Sequence, residues 1–127
     1  MTIAAGTSTE TDYEGVSRVK HEEVRRITLT FAVVAADTAT TIALPFKGII
    51  RAVSYVTPDT SNNDLTSTLT IVNDLGATIF TSGAGIAENT NNFWPVDIAQ
   101  SGTLTIAATF NEAAGATCTF TVSLEVI

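Results

Sequence analysis

The sequence predicts an all-β fold: an antiparallel β-sandwich, jelly-roll-like, with an extended N-terminal arm. Three observations lead there. From Arg25 onward, apolar residues alternate with Thr, Ser and Ala at a period of two, the strand period rather than the helical one. About eight such runs follow one another at short spacing, with Gly, Asn, Asp and Pro between them, which implies two packed sheets or a closed barrel. Thr is unusually frequent beside Val and Ile, a composition suited to a pleated, half-buried surface. An immunoglobulin-like sandwich is the alternative topology, although its cysteine pair is missing.

The elements follow in order. Residues 1–24 are small, polar and charged and read as an arm, with a disordered tail or a weak helix over Tyr13 to Val24 as alternatives. Residues 25–127 form the sandwich domain. Ile27, Leu29, Phe31 and Val33 share one face of a first strand. Thr40, Ile42 and Leu44 begin a second, which Pro45 is expected to close. Over Ile49 to Thr57 both alternating sets hold apolar residues, so that strand is expected to be covered on both sides. Leu65 to Ile71, the turn residues Asn73, Asp74 and Gly76, and Ala77 to Thr81 predict a hairpin. Phe93 to Ile98 read as a short apolar anchor behind an Asn-rich stretch. Leu104 to Phe110 and Cys118 to Val126 read as a closing hairpin with one buried face.

Charge is divided along the chain. All six bases lie at or before Arg51 and are matched there by six acids, so the net charge of −7 belongs to residues 52–127. Such a body keeps a particle soluble and counts against partners that are polyanions. A sequence pI near 4.4 and the lack of a basic, aromatic-bearing sheet argue against nucleic acid. Met1 to Tyr13 has no basic start or apolar run, and no stretch approaches the roughly 18 apolar residues of a membrane span. The reading is a soluble chain made in the cytoplasm, with no membrane partner.

The search for chemistry yields little. His21 is the lone histidine, set among charged arm residues, and a nucleophilic triad would need it as base. Cys118, the lone cysteine, excludes an intrachain disulfide and falls on an apolar strand face, where a thiol acts as a small hydrophobe. One His and one Cys do not make a zinc site. Asp59, Asn62, Asn63 and Asp64, and likewise Glu88, Asn89, Asn91 and Asn92, crowd oxygens into loops. Ordinary turn chemistry explains them better than calcium does. Gly83 and Gly85 lack the Lys and helix start of a phosphate loop. The carboxylates are scattered singly, without the facing pair that glycoside hydrolysis needs. The expectation is a non-enzymatic protein without cofactor or metal.

Several segments resemble the small β-rich head-decoration, or cement, proteins of tailed bacteriophages. These are Arg25 to Leu29 after a polar arm, Leu44 to Val53, Leu69 to Gly76, Gly102 to Ile106 and Thr117 to Val126. The resemblance implies a virion structural protein on the capsid surface, assembled in the host cytoplasm, that bridges and stabilises major capsid protein subunits as a homo-oligomer, dimer or trimer. On that reading Arg18, Lys20, Arg25 and Arg26 pair with shell carboxylates, and Phe31, Phe46, Phe93 or Trp94 supply apolar anchors. A tail, baseplate or fibre-attachment component is the alternative. A carbohydrate-binding adhesin module using Trp94 and the Asn-rich loops ranks after it.

Overall fold

The computed structural model describes the backbone of Thr7–Thr11 and residues 24–127. The positions of Arg18, Lys20 and His21, and nearly all of the helix considered over 13–24, lie outside the described residues. The described residues form eight strands: β1 (Thr7–Thr11), β2 (Val24–Val33), β3 (Ala39–Val56), β4 (Thr66–Val72), β5 (Thr78–Thr81), β6 (Ile86–Ala87), β7 (Asn91–Phe110) and β8 (Cys118–Val126). All pairings are antiparallel, in the order β1-β2-β8-β3-β7-β4-β5, with β6 on β4. The described residues contain no helix.

This single hydrogen-bonded sheet folds over on itself along its two longest members. The first half of β3 pairs with the second half of β7, and β4 continues from that half of β7. The second half of β3 lies between β8 and the first half of β7. Counting each half separately gives two layers: β2, β8, late β3 and early β7 in one, with β1 added beside β2, and early β3, late β7, β4 and β5 in the other, with the short β6 also on β4. This is the connectivity of a double-sheet jelly roll. Contacts between strands that are not neighbours in the sheet close the layers: Phe110 and Phe120 rings 5.1 Å apart, and the Tyr55 hydroxyl 2.7 Å from Ser67 Oγ. Leu29, Phe31, Ile50, Val53, Val122 and Leu124 from the first layer meet Ile42, Leu69, Ile71, Leu104 and Ile106 from the second in one core.

Four expectations need correction. Pro45 does not end a strand, because β3 runs through it to Val56. Early β3 is the outer strand of its layer. Phe46 and Leu44 lie on the pairing phase of the ladder with β7, so the nitrogen of Pro45 points to the free edge, where no donor is needed. The segment Ile49 to Thr57 is not covered on both faces, since Val56 is 41% exposed. Its mixed pattern arises from a register shift between Ile50 and Ala52, which switches which residues point inward. Phe93 to Ile98 is no separate anchor: it and Leu104 to Phe110 belong to one twenty-residue strand, β7. Gly102, at φ 125°, lets the backbone pass between layers, and a Cβ there would fall on the Asp74 carboxylate. Finally, β7 and β8 do not form a hairpin. They face each other across the core, and β8 pairs instead with β2 and β3.

The hairpin of β4 and β5 forms as expected. Asn73 Oδ1 accepts hydrogen bonds from the backbone nitrogens of Leu75 and Ala77 at 3.0 and 2.9 Å, and Gly76 takes φ 86°.

Candidate functional site

The topology sorts the described charges along the strand direction. Four connections meet at one end: residues 34–38, 57–65, 82–90 and 111–117. They are tied together by Ala114 N to Asp37 O (2.9 Å), Thr60 N to Glu88 Oε2 (2.9 Å) and Asn62 Nδ2 to Glu112 Oε2 (2.7 Å). That end carries Asp37, Asp59, Asp64, Glu88 and Glu112 and, among the described residues, no base. Arg25, Arg26, Lys47 and Arg51 all lie toward the opposite end, with Glu10, Asp74, Asp97 and Glu125; four bases against four acids leave it balanced. Among the described residues, one end is therefore strongly acidic and the other balanced.

On the outer face of the β2–β8–β3–β7 layer, the Arg26, Glu125, Arg51 and Asp97 side chains lie toward the balanced end, whereas Phe93 and Val56 lie toward the connections 57–65 and 82–90. The register aligns Arg26, Glu125, Ala52 and Pro95 in one row, and Thr28, Ser123, Ser54 and Phe93 in the next. Three strand spacings separate Arg26 from the β7 edge, about 14 Å. Arg26 Nη2 meets Glu125 Oε2 at 3.0 Å, and Arg51 Nη1 meets Asp97 Oδ1 at 3.3 Å. Both pairs are solvated and contribute at most about 1 kcal/mol to folding. Phe93 is 60% exposed, with Val56 diagonal to it across the β3–β7 pair. Phe93 and Val56 are thus the exposed apolar residues of this face, with Ser, Thr and paired charges around them.

The other sequence candidates are placed as follows. Arg25 is half-buried, on the same phase of β2 as Leu29 and Phe31, at the margin of the core. Phe46 is 8% exposed and Phe31 is fully buried, so both rings serve the core. Trp94 alternates with Phe93 along β7 and packs inward, its ring edge-on to Phe80 at 5.4 Å. Arg26 and Phe93 are thus brought onto one face, whereas Phe46 and Trp94 are not. Val56, Arg51 and Asp97 join that face without having been singled out. Only the register shift at Ile50/Ala52 reveals the outward position of Val56.

The oxygen-rich loops are occupied by their own backbones. Asp59 Oδ1 accepts from Ser61 N (2.9 Å), Asn62 Oδ1 from Asp64 N (3.1 Å), and Thr57 Oγ1 bonds with Ala87 O and Thr90. Among the described residues no three His, Cys, Asp or Glu side chains converge as metal ligands would. Burial, and secondarily the negative charge of Asp37, push the Cys118 thiol up from its ordinary pKa, which lowers its thiolate fraction and its nucleophilicity.

No protein-family model and no curated protein matches this sequence. Among solved structures, a chain in the structure of infectious bursal disease virus, Gx strain, overlaps 94% of this chain at 13% identity and a TM-score of 0.32. A chain in the structure of the Gt strain of the same virus overlaps 94% at 15% identity and a TM-score of 0.27. This chain spans 37% and 42% of the length of those two chains.

Proposed function

We propose that this protein is a non-enzymatic virion structural protein that decorates a capsid and stabilises it by bridging major capsid protein subunits. The observation that carries the reading is the segregation of charge along the strands, with the Arg26 and Arg51 pairs toward the less acidic end of an outer face that also exposes Phe93. A decorating protein needs one end that approaches a shell and another that stays solvated and repels further copies. The segment carrying Arg18 and Lys20 joins the body at Val24, on the approaching side. The jelly roll is a scaffold shared by capsid proteins and lectins, so the fold is compatible with this role and the surface supports it.

The test is rebinding to virus particles that lack this protein, read as occupancy per particle. Phe93→Ala combined with Arg26→Glu is expected to weaken occupancy at least about tenfold, as loss of a central aromatic and a charge does at hot spots. Glu112→Gln at the acidic end is expected to leave it unchanged. Full occupancy by the double variant would refute this placement of the contact surface.

A further inference from the structure

The turn between β4 and β5 departs from turn chemistry at one position. Asn73 serves the turn throughout: its Oδ1 accepts from the nitrogens of Leu75 and Ala77, its backbone nitrogen donates to Ala77 O at 2.9 Å, and its carbonyl accepts from Gly76 N at 3.0 Å. Gly76 supplies the positive φ. The Leu75 side chain serves neither the turn nor the core. It is 89% exposed, more than any other large apolar side chain among the described residues.

An isolated exposed leucine is common on protein surfaces, but three features set this one apart. It is rigidly carried, because the turn is closed by the four hydrogen bonds of Asn73 and the Asp74 carboxylate lies directly over Gly102, where β7 bends between layers, bracing the tip against the body. A side chain already held in place costs little further ordering on binding. It stands alone at its end. Val34 lies in the 34–38 connection, and Val56 and Phe93 lie toward the connections 57–65 and 82–90, so of the exposed large apolar side chains only Leu75 is at the charge-balanced end. It also occupies an apex where Gly, Asn, Asp or Ser is the usual choice, and positions that break a local rule are those where function is expected.

We infer that Leu75 is a plug that enters an apolar pocket on the shell subunit, about the size of one leucine side chain, as the protein meets the shell by its balanced end. The inference rests on the capsid reading and adds to it the inserting residue and the chemistry of the partner's site. A protein pocket is the occupant rather than a lipid surface, because one leucine beside the exposed carboxylate of Asp74 offers too little apolar area, and the wrong charge, to hold a membrane. Enclosed by a pocket, the same side chain is withdrawn from water entirely.

The test is rebinding of the full chain to particles that lack this protein, measured as occupancy against concentration. Leu75→Ser is expected to raise the concentration for half-occupancy at least about tenfold. Leu75→Met, which keeps apolar volume, is expected to lose less. Ala77→Ser, exposed in the same turn, is expected to match the wild type. Because Leu75 lies outside the core, its variants are expected to melt at the wild-type temperature; should serine lower it, Leu75→Asn, a residue suited to the turn, takes its place. Wild-type occupancy by Leu75→Ser, or a loss as deep with methionine as with serine, would overturn the inference and leave the capsid reading standing. A wild-type chain that does not rebind would overturn the capsid reading and the inference with it. Loss of self-association by Leu75→Ser in sedimentation without particles would assign the leucine to a second copy and overturn the plug.

Discussion

Tyr55 provides the sharpest test of how the two layers are joined. Its side chain is fully buried on β3, stacked 6.2 Å from Phe120, and its hydroxyl lies 2.7 Å from Ser67 Oγ on β4 in the facing layer. Tyr55→Phe leaves the Ser67 hydroxyl buried without its partner, and Ser67→Ala strands the phenol in the same way. Each is expected to cost about 1 to 3 kcal/mol at neutral pH. The double variant is expected to cost clearly less than the two combined, because no orphan then remains. Burial, opposed only in part by the Ser67 bond, pushes the phenol up from 10.0 to about 12. The folded state thus favours the protonated form. Its contribution is complete below pH 10 and is lost as pH rises from 10 toward 12, where the folded chain binds more protons than the unfolded one. Two pH units correspond to about 2 to 3 kcal/mol. Urea unfolding at pH 9 to 12 in a Tyr13→Phe background, compared with Tyr13→Phe/Tyr55→Phe, isolates this residue from everything else that titrates. Additive single variants, or parallel pH profiles with and without Tyr55, would refute the account of a phenol held between layers.

Two further perturbations test the bends and the edges. Gly48→Ala places a Cβ 2.5 Å from the Ile127 carbonyl oxygen at φ 144°, and is expected to destabilise by more than about 1 kcal/mol in denaturant melts; an unchanged midpoint would contradict the close approach. Pro95→Thr restores a backbone donor on the open side of early β7 and is expected to change stability by less than about 0.5 kcal/mol. Light scattering should nevertheless show increased aggregation, because prolines help to guard free sheet edges.

Much of the fold was legible because strand alternation is a local property. The sets Leu29–Phe31–Val33, Leu69–Ile71, Leu104–Ile106 and Phe120–Val122–Leu124 are read correctly as core faces from spacing alone. The turn at Asn73 to Gly76 was equally legible, since its side-chain bonds and positive φ depend on residues within the turn. Pro45 misled for a physical reason: a proline is tolerated within a strand where its nitrogen faces no partner, and the bend at Gly102 that joins Phe93 to Ile98 with Leu104 to Phe110 was not read at all. Neither condition is visible until the neighbouring strand is known. The candidate site was legible only in part. Arg26 and Phe93, 67 positions apart, share a face through registers that run across β8 and β3.

The sequence by itself determined the all-β class, the inward residues of most strands and the acidic balance, because period-two patterning and composition are carried by the residues themselves. Only the tertiary structure decided that β8 lies between β2 and β3, that Trp94 turns inward and Phe93 outward, and that the described bases collect away from five loop carboxylates. Strand alternation specifies a face but not a neighbour. Pairing is chosen when both layers bury their apolar faces together, and that choice places distant charges at opposite ends of one body.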